Sequence, residues 1–112
     1  MKAYPYTDVP AEPAEGLPGV AMRWVISKNV DAPNFAMRIV ELEKGASTAY
    51  HAHAWEHEVY VLEGEGVVRI ASGDTPIAPG TCVFVPCDET HQFSNTGDGM
   101  LKFICCIPNP ED

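Results

Sequence analysis

The chain has 112 residues, 46% of them apolar, and a formal net charge of −9. That length suits one domain burying about two thirds of its unfolded surface, and the apolar share excludes a wholly disordered chain. The acidic balance, with no run of lysine or arginine, excludes nucleic acid and anionic membrane surfaces as expected partners.

Residues 3–19 carry Pro5, Pro10, Pro13 and Pro18 among Asp8, Glu12 and Glu15. Proline fixes φ and lacks an amide donor, so residues 1–19 are expected as an extended arm ahead of a domain over 20–112. Such an arm wraps its own domain or a partner, or hangs loosely; the residues leave all three open. No run of about 18 apolar residues follows, so no membrane span is expected. Met1-Lys2-Ala3-Tyr4-Pro5 lacks the apolar segment of a secretion signal, and the expected location is the cytoplasm.

Apolar runs then alternate with Gly, Pro and Asn turns. Val20–Ser27 and Phe35–Glu43 are the first two expected strands, with a loop at 29–34 between them. On the second, Phe35, Met37 and Ile39 share one face, and Arg38 shares the other with Val40 and Leu42. Arg38 either snorkels from the surface or sits in a polar pocket, and the surface is the expectation. After Lys44-Gly45, strands are expected at Ser47–His53 and Glu56–Leu62, then at Val67–Ala71 after the turn Glu63-Gly64-Glu65-Gly66. Ser72-Gly73-Asp74 is a further turn. Strands follow at Thr81–Val85, His91–Asn95 and Leu101–Ile107, and Pro108, Pro110, Glu111 and Asp112 come last. No segment has helical periodicity, so the fold class is all-β, a sandwich or barrel. Several strands are apolar on both faces, which suits a closed double-sheet barrel covered outside by a second copy, a homodimer. Cys82, Cys87, Cys105 and Cys106 lack Cys-x-x-Cys spacing and read as reduced, mostly buried hydrophobes. A disulfide from Cys82 or Cys87 to the last strand is the alternative.

Chemistry concentrates in His51-Ala52-His53-Ala54-Trp55-Glu56-His57. Three of the four histidines fall within seven residues, and the fourth is His91. Positions i and i+2 of a strand share a face, so His51 and His53 point the same way. His57 starts the next strand after a turn. Imidazole binds Zn, Cu, Fe, Ni and Mn ions. A His-x-His pair does not close a site alone, so the remaining ligands must come from neighbouring strands. The bland alternative is a chance surface cluster; the apolar strand and glycine turn directly after it argue against that.

Two patterns carry a resemblance. Gly45, five residues, His51-Ala52-His53, three residues, His57, six residues and Gly64 form the first. Gly80, five residues, Pro86-Cys87-Asp88, two residues, His91, three residues and Asn95 form the second. In spacing and order these resemble the two motifs of the cupin family. The resemblance implies a cupin jelly-roll β-barrel (double-stranded β-helix) in a single domain. Two positions depart from the pattern: His57 stands where the motif has glutamate, and Asp88 where it has glycine. The chain therefore resembles the small single-domain cupins with four histidine ligands, best known for manganese. The implied metal ligands are His51, His53, His57 and His91, with Glu58 as the alternative to His57.

The implied cofactor is one divalent transition metal per chain: manganese first, then Fe, Ni, Co, Cu or Zn. Four neutral imidazoles leave the ion's charge intact and favour a small anionic or oxygenated ligand. Parity places Val59 and Val61 with His57, and Phe93 and Asn95 with His91, so apolar pocket walls are expected. Tyr50, Arg38, Arg69 and Glu58 are the nearest acid–base candidates, none compelling. Cupins resembling this chain include dioxygenases, decarboxylases, isomerases and binding proteins, and fold does not choose among them. A metal-dependent enzyme, dioxygenase- or oxidoreductase-like, is the first expectation. A non-catalytic metal or small-ligand binding module is the second, and a closed tetrahedral zinc site the third.

Overall fold

The computed structural model describes residues 1–109. Pro110, Glu111 and Asp112, read above as part of the barrel domain, lie outside the described residues. Nine strands occur among the described residues: β1 (Glu12–Pro13), β2 (Val20–Ile26), β3 (Phe35–Leu42), β4 (His57–Glu63), β5 (Gly66–Ile70), β6 (Gly73–Ile77), β7 (Cys82–Val85), β8 (His91–Asn95) and β9 (Leu101–Pro108). One sheet has six strands in the order β1-β2-β3-β9-β4-β7, and the other has three in the order β6-β5-β8. Every pairing between them is antiparallel. The protein is an all-β jelly-roll barrel.

Alternation sets which side chains face inward. On β4, His57, Val59 and Val61 are buried while Glu58, Tyr60 and Leu62 are exposed. On β8, His91, Phe93 and Asn95 are buried with Gln92 and Ser94 between them. On β9, Leu101, Phe103, Cys105 and Ile107 are buried. These residues meet Ala36, Val40 and Leu42 of β3 in one core. Burial of each large apolar side chain contributes roughly 1.5–3 kcal/mol.

Two motif residues hold this frame. Gly64 has φ +85°, and a Cβ there would run into the Met100 carbonyl at the entry to β9. Only glycine fits both demands. Asn95 is buried; its Nδ2 donates to the carbonyls of Leu42 (2.9 Å) and Gly99 (2.8 Å), and its Oδ1 accepts from Gly97 N–H at 3.0 Å. It staples the end of β3 to the turn before β9, so it acts on the frame and not on the cavity.

The expected strand over Ser47–His53 is not formed. This segment makes only isolated bridges to β8, Ser47 to Ser94 and His51 to His91. Conversely, β6 forms where a turn and connecting segment were expected. Pro76 lies on this sheet edge, where its missing donor breaks no ladder. The arm lies against its own barrel. β1 pairs with β2, Arg23 Nη1 donates to the Val9 carbonyl at 2.7 Å, and the Tyr6 ring packs beside Arg23 and Lys102. All four cysteines are free; Cys105 is buried, while Cys82 and Cys87 are exposed, contrary to the expectation of mostly buried thiols. Cys82 takes the outward position of edge strand β7, opposite Tyr60, and Cys87 lies in the loop that follows. Among the described residues no helix is long and apolar enough to cross a membrane.

Candidate metal centre

The four histidines reach one cavity from three places. His57 opens β4 and His91 opens β8, both facing inward. His51 and His53 come from the segment laid across β8. His51 and His91 exchange both backbone hydrogen bonds, at 3.1 and 3.0 Å. The His53 carbonyl accepts from Asp88 N–H at 2.6 Å. Asp88 sits at φ 65°, the left-handed region that the motif glycine would occupy and that aspartate tolerates better than most residues. The substitution keeps the turn and the tie to His53.

The rings converge. Centroids lie 4.2 Å apart for His51 and His53, 4.8 Å for His57 and His91, 5.2 Å for His53 and His57, and 5.7 Å for His51 and His91. The Nε2 atoms of His51 and His53 are 2.9 Å apart. Two ligands on one ion at bonds of about 2.1 Å and a right angle stand about 3.0 Å apart. Among the described residues, no group of three or more His, Cys, Asp or Glu side chains is already arranged to hold a metal ion. The donor chemistry fits a metal. The Glu89 carbonyl, 2.9 Å away, accepts from His91 Nδ1–H, which leaves His91 Nε2 with a free lone pair. His57 Nδ1 lies 3.4 Å from Cys105 Sγ, and His57 Nε2 is buried with no hydrogen-bond partner among the described residues. Trp55 stacks on His53 at 4.6 Å and 8°, fixing that ring.

Electrostatics favour the neutral form of His51, His53 and His57. Burial, then the charges of His91 and Arg38, push His57 down to about 3. Burial and the same two neighbours lower His51, and burial followed by His51, His91 and Arg38 lowers His53. Neutral imidazole is the ligating form.

The cavity in front of the rings measures about 250 Å³, and Arg38, Val40, Phe93, Phe103 and Cys105 form much of its remaining wall. A larger groove of about 530 Å³ runs along the arm beside Glu41 and Glu43, and no histidine lines it. Phe93 takes its expected place in the cavity wall. Val59 and Val61 lie in the core instead, and Asn95 is occupied with backbone. Glu58 faces outward and is exposed. Tyr50 is 48% exposed, and Arg69 pairs with Asp74 at the surface at 2.9 Å.

Arg38 corrects an expectation. It faces the cavity with Val40, not solvent, because it keeps the parity of the inward residues of β3. Its cross-strand neighbours are Trp24 and Cys105. The guanidinium lies 5.2 Å from the Trp24 ring and donates to Cys105 Sγ at 3.0 Å and to Met22 Sδ at 3.7 Å. Burial pushes the Cys105 thiol up, partly offset by Arg38. Cys105 therefore touches both His57 and Arg38. Sequence reading treated it as a small hydrophobe; its shared parity with Phe103 was the available signal.

Residues 38–107 match the family model for the cupin domain, Cupin_2. The chain is 38% identical over 69 residues to an oxalate-binding protein of Thermotoga maritima, covering 61% of this chain and 57% of that one. The matches span 57% and 54% of the first two curated relatives, little more than half their length. Among solved structures, the polyketide cyclase RemF from Streptomyces resistomycificus superposes with a TM-score of 0.91 at 31% identity, covering 98% of this chain and 80% of that one. A protein from Thermotoga maritima described as a predicted oxalate decarboxylase superposes with a TM-score of 0.85 at 26% identity, covering 97% and 100%. The jelly roll, both motif spacings and a family match over most of the barrel agree: this chain belongs to the cupin family.

Proposed function

We propose that His51, His53, His57 and His91 hold one divalent transition metal per chain. Manganese ranks first, ahead of Fe, Ni, Co, Cu and Zn. We further propose that the chain is a metal-dependent enzyme, dioxygenase- or oxidoreductase-like, acting on a small anionic or oxygenated substrate. The observation that carries this reading is the buried His57 Nε2, which lacks a hydrogen-bond partner among the described residues while its ring faces those of His53 and His91. An orphaned buried nitrogen costs about 1–3 kcal/mol, a cost that ligation removes.

When bound, such an ion supplies Lewis acidity and a template for oxygen ligands. The chain's residues do the rest. The Glu89 carbonyl and Trp55 fix the tautomer of His91 and the plane of His53. Val40, Phe93 and Phe103 exclude water from one side of the cavity. Four uncharged rings leave the cation's attraction for an anion undiminished.

A second reading is a non-catalytic binding module. It is favoured by the cavity wall, which among the described residues offers no carboxylate, lysine or tyrosine as proton donor or acceptor. The names of two relatives, an oxalate-binding protein and an auxin-binding protein, point the same way. A decarboxylase or isomerase on this site also needs such a group. Oxygen uptake and CO₂ release by metal-loaded protein, across a panel of carboxylates and diketones, decide between the two. Metal-dependent turnover of any member supports the enzyme; binding of members with no turnover of any supports the module.

The outer face of β4 and β7 exposes Tyr60 (47%), Leu62 (40%) and Phe84 (62%). We propose this apolar patch as the contact of a cytoplasmic homodimer. Light scattering should then give twice the 12.2 kDa chain mass; a monomer at tens of micromolar contradicts it.

A further inference from the structure

Arg38 is a cation placed inside a barrel. Its Nε is buried without a hydrogen-bond partner among the described residues. Its other contacts are soft: the Met22 and Cys105 sulfurs and the Trp24 indole. Among the described residues it forms no ion pair, whereas Arg23 and Arg69 each have a carboxylate partner. Arg38 is half-buried, and a partly desolvated guanidinium without a counter-ion is poised for an anion. Cys105 Sγ contacts both the guanidinium and the His57 ring, and Arg38 and the histidines line the same cavity.

We infer that Arg38 holds the anionic end of this cavity's ligand, and that the ligand is a monocarboxylate with an apolar body. The inference rests on reading the histidine-lined cavity as the ligand site. Three observations set the class. Guanidinium presents a planar fork that matches a carboxylate, and the Arg38 side chain lines the cavity. The cavity of about 250 Å³ holds roughly eight waters' volume, which suits a ligand of about ten non-hydrogen atoms. Val40, Phe93 and Phe103 supply apolar wall beside a single fixed cation, so the ligand's remainder is apolar and flat enough to lie against rings. A compact dicarboxylate would leave that wall uncovered.

Isothermal titration with benzoate and with its neutral isostere benzamide tests this. It is run on full-length protein before and after metal loading. Wild type should bind benzoate at least tenfold more tightly than benzamide in both forms. Arg38→Gln should lose at least tenfold in benzoate affinity, with benzamide unchanged and metal content equal to wild type. If Arg38→Gln does not fold, Arg38→Lys keeps the charge, loses the fork and should fall between. Equal affinity for the two probes in wild type overturns the inference, as does an Arg38→Gln protein that binds benzoate undiminished. Binding of oxalate with none of benzoate overturns the ligand class. A wild type that takes up no metal yet still prefers benzoate defeats the metal reading and leaves the role of Arg38 standing.

Discussion

His57 and Glu58 are neighbours on β4 and point to opposite sides of the sheet. His57 is 4% exposed and faces the other histidine rings; Glu58 lies on the outer face between Phe84 and Cys106. No rotamer brings the Glu58 carboxylate through the sheet. Replacing Glu58 with Gln should leave the metal-to-chain ratio unchanged. Replacing His53 with Ala should weaken metal binding well beyond tenfold, since even supporting residues around a metal cost 10–100-fold when lost. Elemental analysis of both variants after dialysis checks this. Unchanged metal in His53→Ala would remove His53 from the ligand set.

The metal-free protein should lose stability as it is acidified. His57 carries a proton below about pH 6.5 in the unfolded chain but only near 3 in the fold. Its contribution is therefore complete above pH 6.5 and falls away between 6.5 and about 3. The slope is about 1.4 kcal/mol per pH unit for this one group. His51 and His53, also lowered, act in the same direction. Urea unfolding at pH 7.5, 6 and 5 measures the slope, and His57→Gln should flatten it. Ligated metal should leave over the same range, because protons compete for the ring nitrogens. Stability equal at pH 7.5 and 5 would contradict the account.

Asn95 should matter for folding and not for chemistry. Asn95→Ala removes three hydrogen bonds and leaves the buried Leu42 carbonyl without its side-chain donor. A loss of about 2–3 kcal/mol is expected in urea unfolding. Metal per folded chain should not change. A metal-deficient but fully stable variant would place Asn95 in the site after all.

Much of the site was legible because its parts are spaced along the chain as a strand spaces them. Motif spacing selected His57 over Glu58, and parity put Phe93 and Asn95 with His91. It failed where backbone pairing, not pattern, decides. Ser47–His53 reads as a strand, yet it bonds β8 at two isolated points, so the His51-Ala52-His53 pair is carried on a strap. β6 was hidden by Gly73, Asp74 and Pro76, residues that mark turns but are tolerated on an edge. Arg38 was misplaced for another reason. Its parity with Val40 and Leu42 already put it inside, and only its charge suggested solvent. Two sulfurs and an indole from distant strands accept that charge, and no local pattern encodes such partners.

The measurement that bears most directly on the four-histidine centre is elemental analysis of untagged protein purified without chelator. The account predicts about one equivalent of a divalent transition metal per chain, manganese foremost, retained through gel filtration at pH 7.5. A protein that carries no metal, and takes up none of Mn, Fe, Co, Ni, Cu or Zn when each is offered, would contradict it.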